Sequence, residues 1–173
     1  MTQQLTIPTV QTSQAEEEKK TEYTACMFTG HRELGDDFST KKLRNAIEEQ
    51  IKKGVIDFYN GMAKGFDLAA ATAVVKLKKK YPQIRLIACV PCYGQEKYFS
   101  EKDKKTYVAT LKKADEKIVL SQQYFRGCMQ ARDRYMAERA DGMIAYCKKD
   151  EGGAAYTVKI FKKLHPLSPI VFL

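Results

Sequence analysis

The sequence predicts an α/β protein with a three-layer fold: a mainly parallel sheet of about six strands with helices on both faces. Three observations carry that expectation. Short apolar runs alternate with segments whose apolar residues recur at three- and four-residue steps, the strand and helix signatures. No two runs adjoin as a hairpin pair, so successive strands are joined by right-handed helical crossovers and lie parallel. Three glycine-marked stretches, at Gly30, Gly61 and Gly152, each come just after an apolar run, which places them on one rim, where such sheets hold ligands.

Residues 1–21 are rich in Gln, Thr and Ser, carry one proline and the acidic triplet Glu16-Glu17-Glu18, and have no period; they are expected as a flexible or loosely docked arm. Residues 22–173 are expected as a single domain. The first strand is residues 24–29, ending at Gly30-His31-Arg32. Ser39 or Thr40 can cap the next helix, whose Leu43, Ala46, Ile47 and Ile51 share one face before Gly54 stops it. Residues 55–60 form the second strand, and the turn from Gly61 to Gly65 opens an alanine-rich helix from Asp67 that closes at Tyr81-Pro82. Residues 84–90 form the third strand, broken by Pro91. A loop with Tyr93, Gln95, Tyr98 and Phe99 leads to a helix with Tyr107, Val108, Leu111 and Ala114 inward. Residues 118–120 make a short fourth strand. A helix containing Met129, Arg132, Tyr135, Met136 and Arg139 follows, then a fifth strand over 142–147. The last helix turns Ala155, Val158, Phe161 and Leu164 inward and leads to a sixth apolar run at 169–172.

The composition bounds the function. At 173 residues, 44% hydrophobic and 29% charged, the chain is an ordinary globular domain in size and make-up. It has no apolar stretch approaching the ~20 residues a membrane span needs, and its start lacks a signal-peptide pattern, so a cytoplasmic location without membrane contact is expected. Five cysteines in dissimilar settings fit reduced thiols. The net charge is +9; residues 1–20 hold three Glu and two Lys, leaving +10 on the rest, which favours anionic partners. The lysines come in pairs and triplets at helix ends, which favours a solvated basic surface over a dedicated nucleic-acid groove.

The chemistry-bearing residues cluster in the glycine stretches. A strand that stops in a glycine turn and opens a helix, as at Gly61–Asp67, exposes backbone N–H groups to an anion; the plain alternative is a tight turn. Arg32 can fork onto a phosphate or carboxylate, and His31 can donate to an oxyanion or sugar hydroxyl. Asp67 either caps its helix or holds ribose hydroxyls. Arg132-Asp133-Arg134 is expected to open a helix, where cations oppose the dipole; such a broken local rule points to a functional residue, an arginine meeting phosphate. Gly152-Gly153 allows close backbone approach to a ligand, or is a plain turn. Tyr93, Tyr98, Phe99 and Tyr124 can stack on a base or simply pack. His165 reads as a helix-end residue. Cys89-Val90-Pro91-Cys92 has CxxC spacing but neither a second cysteine pair nor nearby histidines, so no metal site is expected. GxSxG, Walker, HExxH and GxGxxG signatures do not occur.

These residues also carry a family resemblance. Cys26-Met27-Phe28-Thr29-Gly30-His31-Arg32 resembles the C-x-F-T-G-H-R opening of the YpsA-like family in the SLOG (Smf/DprA–LOG) superfamily. Gly61-Met62-Ala63-Lys64-Gly65-Phe66-Asp67-Leu68-Ala69-Ala70 is similar to its second signature, Arg132-Asp133-Arg134-Tyr135-Met136 to its R-N-R-Y-M-V-D, and Gly152-Gly153-Ala154-Ala155-Tyr156-Thr157-Val158 to its G-G-T-x-Y-T-V. The resemblance implies a Rossmann-like sheet with a rim pocket that binds a nucleotide-derived ligand of ADP-ribose or cyclic-nucleotide type, for sensing or sequestration. It further implies roles in signalling or phage defence, and a homodimer or larger homo-oligomer.

The implied ligand-binding residues are Gly30, His31, Arg32, Gly61, Met62, Gly65, Asp67, Pro91, Gln95, Arg132, Asp133, Gly152, Gly153 and Ala154, with no cofactor required. Departures from the pattern are Asp133 for Asn, Ala154 for Thr, and Lys159 where LOG-type phosphoribohydrolases have their catalytic glutamate. The last argues against glycosidic cleavage. The alternatives are an enzyme of the phosphoribohydrolase or nucleoside-deoxyribosyltransferase kind, with Asp67 or Asp133 doing acid/base work, and DprA-like nucleic-acid binding.

Overall fold

The computed structural model describes residues 22–173; the arm expected over 1–21 lies outside the described residues. In chain order the elements are β1 (Ala25–Gly30), α1 (Thr40–Lys52), β2 (Asp57–Asn60), α2 (Phe66–Leu77) and β3 (Arg85–Val90). One 3-10 turn (Gln95–Tyr98) follows, then α3 (Glu101–Lys113), β4 (Glu116–Val119), α4 (Cys128–Ala137), β5 (Gly142–Tyr146), α5 (Gly153–Leu164) and β6 (Ile170–Phe172). The six strands form one sheet in the order β4-β3-β2-β1-β5-β6, and all five pairings are parallel.

Two apolar layers sandwich the sheet because neighbouring strand residues point to opposite faces. Met27 and Phe28, both fully buried, illustrate it: Phe28 packs with Leu43, Ile47, Phe58, Phe66 and Val74 from the α1–α2 side, Met27 with Met136, Met143 and Phe161 from the α4–α5 side. From β1 the chain steps outward through β2, β3 and β4, then returns along α4 to β5 on the other side of β1. The direction of winding therefore reverses between β1 and β5, and a crevice opens at their carboxyl ends. Among the described residues no helix is long and apolar enough to cross a membrane, and all five cysteines are free thiols.

Several boundaries differ from the sequence reading. β4 begins at Glu116, two residues before the apolar run, and three of its four residues are exposed; an edge strand needs no apolar face, and its charges discourage edge-to-edge pairing. Val108 points outward, because the inward stripe of α3 runs through Tyr107, Thr110, Leu111 and Ala114 and Val108 lies about 100° away from it. Leu164 is over a third exposed at the last turn of α5. Most consequential for the site, α4 starts at Cys128, so Arg132 sits in its second turn and does not oppose the dipole at its start. Gly127, with φ +97°, provides the N-cap that the sequence reading passed over.

Candidate functional site

The crevice is assembled from four chain segments, and at Gly30, Gly61 and Gly65 they pack too closely for a side chain between them. A Cβ on Gly30 would lie 2.5 Å from the Phe66 ring, so the end of β1 touches the start of α2. Gly65 has φ +80° and faces the carbonyls of His31 and Arg32, and the Phe66 N–H donates to the His31 carbonyl at 3.1 Å. The turn before α2 is held from within by Asn60, fully buried, whose Nδ2 donates to the Asp67 carbonyl and whose Oδ1 accepts from the Met62 N–H, both at 2.8 Å. Gln95 Nε2 donates to the Gly61 and Met62 carbonyls at 3.2 and 2.6 Å.

These contacts redistribute roles among the expected ligand residues. Gly61, Met62, Gly65 and Gln95 build the turn, and none of them lines the crevice. Met62 is fully buried at φ +58°, turned into the α1–α2 core because the turn reverses direction there. Pro91 is buried just after β3, away from the crevice lining. Gly152 is the exposed N-cap of α5 with φ +90°, also outside the lining.

Gly30, His31, Arg32, Asp67, Arg132, Asp133, Gly153 and Ala154 do converge, together with Thr29, Ala63 and Met129, around a cavity of about 180 Å³. Arg132 forms its back wall. Its Nε donates to Asp133 Oδ1 at 2.7 Å and its Nη1 to the Gly61 carbonyl, and a Cβ on Gly61 would come within 2.6 Å of it. Burial opposes the Arg132 charge, yet the carboxylates of Asp133 and Asp67 outweigh that and raise its pKa. Asp133 Oδ2 accepts from Thr157 Oγ1 at 2.9 Å, so this carboxylate ties α4 to α5. Thr157 lies equally close to the Gly153 carbonyl; its single proton serves one acceptor at a time. Arg132 and Asp133 thus hold each other and the frame while both line the cavity.

Asp67 differs. It sits in the first turn of α2, is 6% exposed, and accepts only a 3.3 Å bond from the Ala63 N–H. Burial, with some repulsion from Asp133, pushes its carboxyl up to about 7 against the pull of Arg132, the Ala63 amide and Arg32. A carboxyl in this state gives or accepts a hydrogen bond near neutral pH.

The mouth is cationic. Arg32 is exposed at its edge, with no carboxylate within ion-pair distance among the described residues. His31 Nε2 accepts the Lys148 N–H at 2.7 Å, which leaves the proton on Nδ1. Burial and the charges of Lys149 and Lys148 lower the His31 pKa, so the ring is neutral. At the first residues of α5, nothing lies within 4 Å of a Cβ built on Gly152 or Gly153.

The remaining candidates stand apart. Tyr93, Tyr98 and Tyr124 are exposed on the loops after β3 and β4, whereas Phe99 packs edge-on against Tyr107 at 5.9 Å. Cys89 and Cys92 are buried. His165 closes α5, its Nε2 2.6 Å from the Ala137 carbonyl. Lys159 is exposed and donates to the Asp150 carbonyl at 3.2 Å, outside the crevice. Sequence reasoning missed Asn60 and Thr157. A polar residue closing an apolar run just before a glycine, and the Thr in the Tyr156-Thr157-Val158 motif, were the available signals.

Comparison with known proteins agrees with this architecture. A UPF0398 protein of Halalkalibacterium halodurans is 28% identical over 142 residues, covering 80% of this chain and 75% of its own length. The UPF0398 protein YpsA of Bacillus subtilis is 27% identical, covering 79% and 83%. The uncharacterised SPbeta prophage-derived protein YoqJ of B. subtilis is 31% identical over 137 residues, covering 72% and 80%. Among solved structures, DNA processing protein A (DprA) of Streptococcus pneumoniae superposes with a TM-score of 0.60 at 18% identity, over 82% of this chain and 48% of that one. The Helicobacter pylori DprA, which binds single-stranded DNA, superposes with a TM-score of 0.62 at 17% identity, over 87% of this chain and 65% of that one. This chain thus spans about half to two thirds of those proteins, and the likeness is one of fold. The family model described as "YspA SLOG family" (YpsA) matches residues 15–168, and the chain belongs to that family.

Proposed function

We propose that the β1/β5 crevice binds the sugar-phosphate part of a nucleotide-derived ligand, of ADP-ribose or cyclic-nucleotide type, and that the protein senses or sequesters it without chemical turnover. The observation that carries this reading is the pairing, in one cavity of about 180 Å³, of a cationic mouth with a buried carboxyl. Arg32 and the unobstructed start of α5 suit phosphate oxygens. Asp67 suits ribose hydroxyls, for which a carboxyl titrating near 7 is acceptor or donor as needed. The cavity is smaller than the roughly 300 Å³ at which pockets begin to enclose a whole drug-sized ligand, so a base would lie outside it. Met129 lines the cavity in the first turn of α4, and the loop just before that helix presents the exposed Tyr124 and Phe125.

Binding without turnover is favoured by how the carboxylates are used. Asp133 is engaged on both oxygens, and the position of the phosphoribohydrolase glutamate is the exposed Lys159. The test is calorimetry of the purified protein with nucleoside monophosphates, cyclic nucleotides, NAD and ADP-ribose, beside mass spectrometry of small molecules released on heating. The expected result is saturable binding of at least one of them, weakened about tenfold or more by Arg32→Glu, a loss of the size charge-assisted phosphate contacts carry. Release of free base in the same incubations would overturn the no-turnover reading and assign Asp67 the acid's role.

A second reading, single-stranded DNA, is favoured by the fold shared with the DNA-binding H. pylori protein and by exposed aromatics beside cations. Tyr98 has Lys97 over its ring at 5.4 Å, and Tyr124 and Phe125 precede Arg126. Bases stack on such side chains while cations follow the backbone. Oligonucleotide binding at physiological salt with a steep salt dependence would support this reading, and its absence would remove it.

A further inference from the structure

A groove of about 860 Å³, larger than the crevice, runs along the outer face of α2 between α1 and α3. Its floor is apolar and shallow because Ala69 and Ala73 are small, with Leu43, Leu68 and Leu77 beside them. Its rim is basic: Lys41, Arg44, Lys76, Lys79 and Lys80 stand with Asp103 as the one carboxylate of the lining, and Glu48 just outside it pairs with Arg44 and Lys80. Lys41, Lys76 and Lys79 have no ion-pair partner among the described residues. A long trough with apolar floor and cationic rim suits an extended segment that offers apolar residues followed by acidic ones.

Such a segment precedes Glu22 in this chain. Residues 1–20 hold Leu5, Ile7 and Val10, then Glu16-Glu17-Glu18. We infer that residues 5–18 dock along this groove as an intramolecular strap, Leu5, Ile7 and Val10 on the alanine floor and the glutamates against Lys76, Lys79 and Lys80.

The entry point of the chain supports it. Tyr23 donates its hydroxyl to Gln50 Oε1 at 2.6 Å, in the last turn of α1. Two residues earlier in that helix Glu48 pairs with Lys80, on the groove rim, at 3.1 Å. The strap would therefore set out beside the end of the groove that carries the lysines. Extended chain advances about 3.4 Å per residue, so the acidic triplet, five to seven residues before Tyr23, reaches those lysines easily. Another eight residues span the ~20 Å of a thirteen-residue helix such as α1. At its far end the groove meets Gly65 and Leu34, two residues beyond Arg32, so a docked strap would end beside the mouth of the crevice. The family match begins only at residue 15, which makes the apolar part of the strap a property of this chain outside the matched region.

The test uses the full chain, mixed in equal parts with nitrogen-15-labelled chain and treated with a carbodiimide. The reagent condenses a carboxylate with a contacting amine into an amide, with formal loss of water. Mass spectrometry should find Glu16, Glu17 or Glu18 joined to Lys76, Lys79 or Lys80 within single-isotope peptides. A Leu5→Asp, Ile7→Asp double variant, which leaves the described domain untouched, should lower that yield about tenfold, because apolar seating and not tethering alone sets the contact. Mixed-isotope peptides would assign the groove to a second copy and overturn the strap. Links scattered over other lysines, or a yield unaffected by the double variant, would overturn it as well.

Discussion

The two glycine turns that frame the crevice look alike in sequence and do opposite things. In the turn from Gly61 to Gly65 the missing side chains are filled by protein: the Arg132 guanidinium lies over Gly61, and the His31–Arg32 carbonyls lie over Gly65. At Gly152-Gly153 a side chain would meet nothing within 4 Å. The first turn uses glycine to let two distant segments touch. The second leaves space at a helix start, which is where a ligand anion would be accommodated. A glycine pair thus reports closeness, and only the fold tells whether the neighbour is the protein itself.

Five substitutions can break or sharpen that contrast. The largest effect is expected for Arg132→Met, which strands the buried Asp133 carboxylate and the Gly61 carbonyl; thermal unfolding should report a loss of about 3–5 kcal/mol. Gly65→Ala comes next, because it joins a positive φ to a clash with backbone; a loss on the order of 3 kcal/mol is expected in urea unfolding.

Asp67→Asn should act through pH. The folded carboxyl titrates near 7 and the unfolded one near 3.8, so the folded state binds the extra proton between those values. The stability this proton confers is complete below 3.8 and is lost as pH rises through 7. The Asn variant lacks this loss, so its stability relative to the parent should climb across that window and level off above it. A flat difference would mean that Asp67 is not the buried acid described. Smallest are the open-turn substitutions. Gly152→Ala should cost about 1 kcal/mol for its positive φ. Gly153→Ala, in ordinary helical geometry, should change stability by less than about 1 kcal/mol while weakening any ligand seated on the start of α5.

The same contrast marks what could be read from the sequence. Alternation of apolar runs with helical periods foretold six strands, five helices and the rim shared by Gly30, Gly61 and Gly152, because burial on both faces imposes that pattern locally. Which rim residues touch one another was not legible. Arg132 reaches Gly61 across 71 residues of chain, and nothing near either residue encodes the meeting. Its misplacement at a helix start followed from overlooking Gly127, whose left-handed backbone begins α4 four residues before the arginine cluster. β4 was misjudged for another reason: an edge strand is specified by its partner's hydrogen-bonding groups and not by its own apolarity.

The bond from the Lys148 amide to the His31 ring joins the loop after β1 to the loop after β5, and it works as an acid-labile clasp. It needs a lone pair on Nε2, and a ring carrying two protons has none. On acidification past its lowered pKa the clasp must open, and amide exchange at Lys148 should accelerate there while the same residue in a His31→Gln protein shows no such step. The rim then trades a fixed outline for one more positive charge, so proton concentration alone would alter both how firmly its lips are set and how strongly they draw an anion.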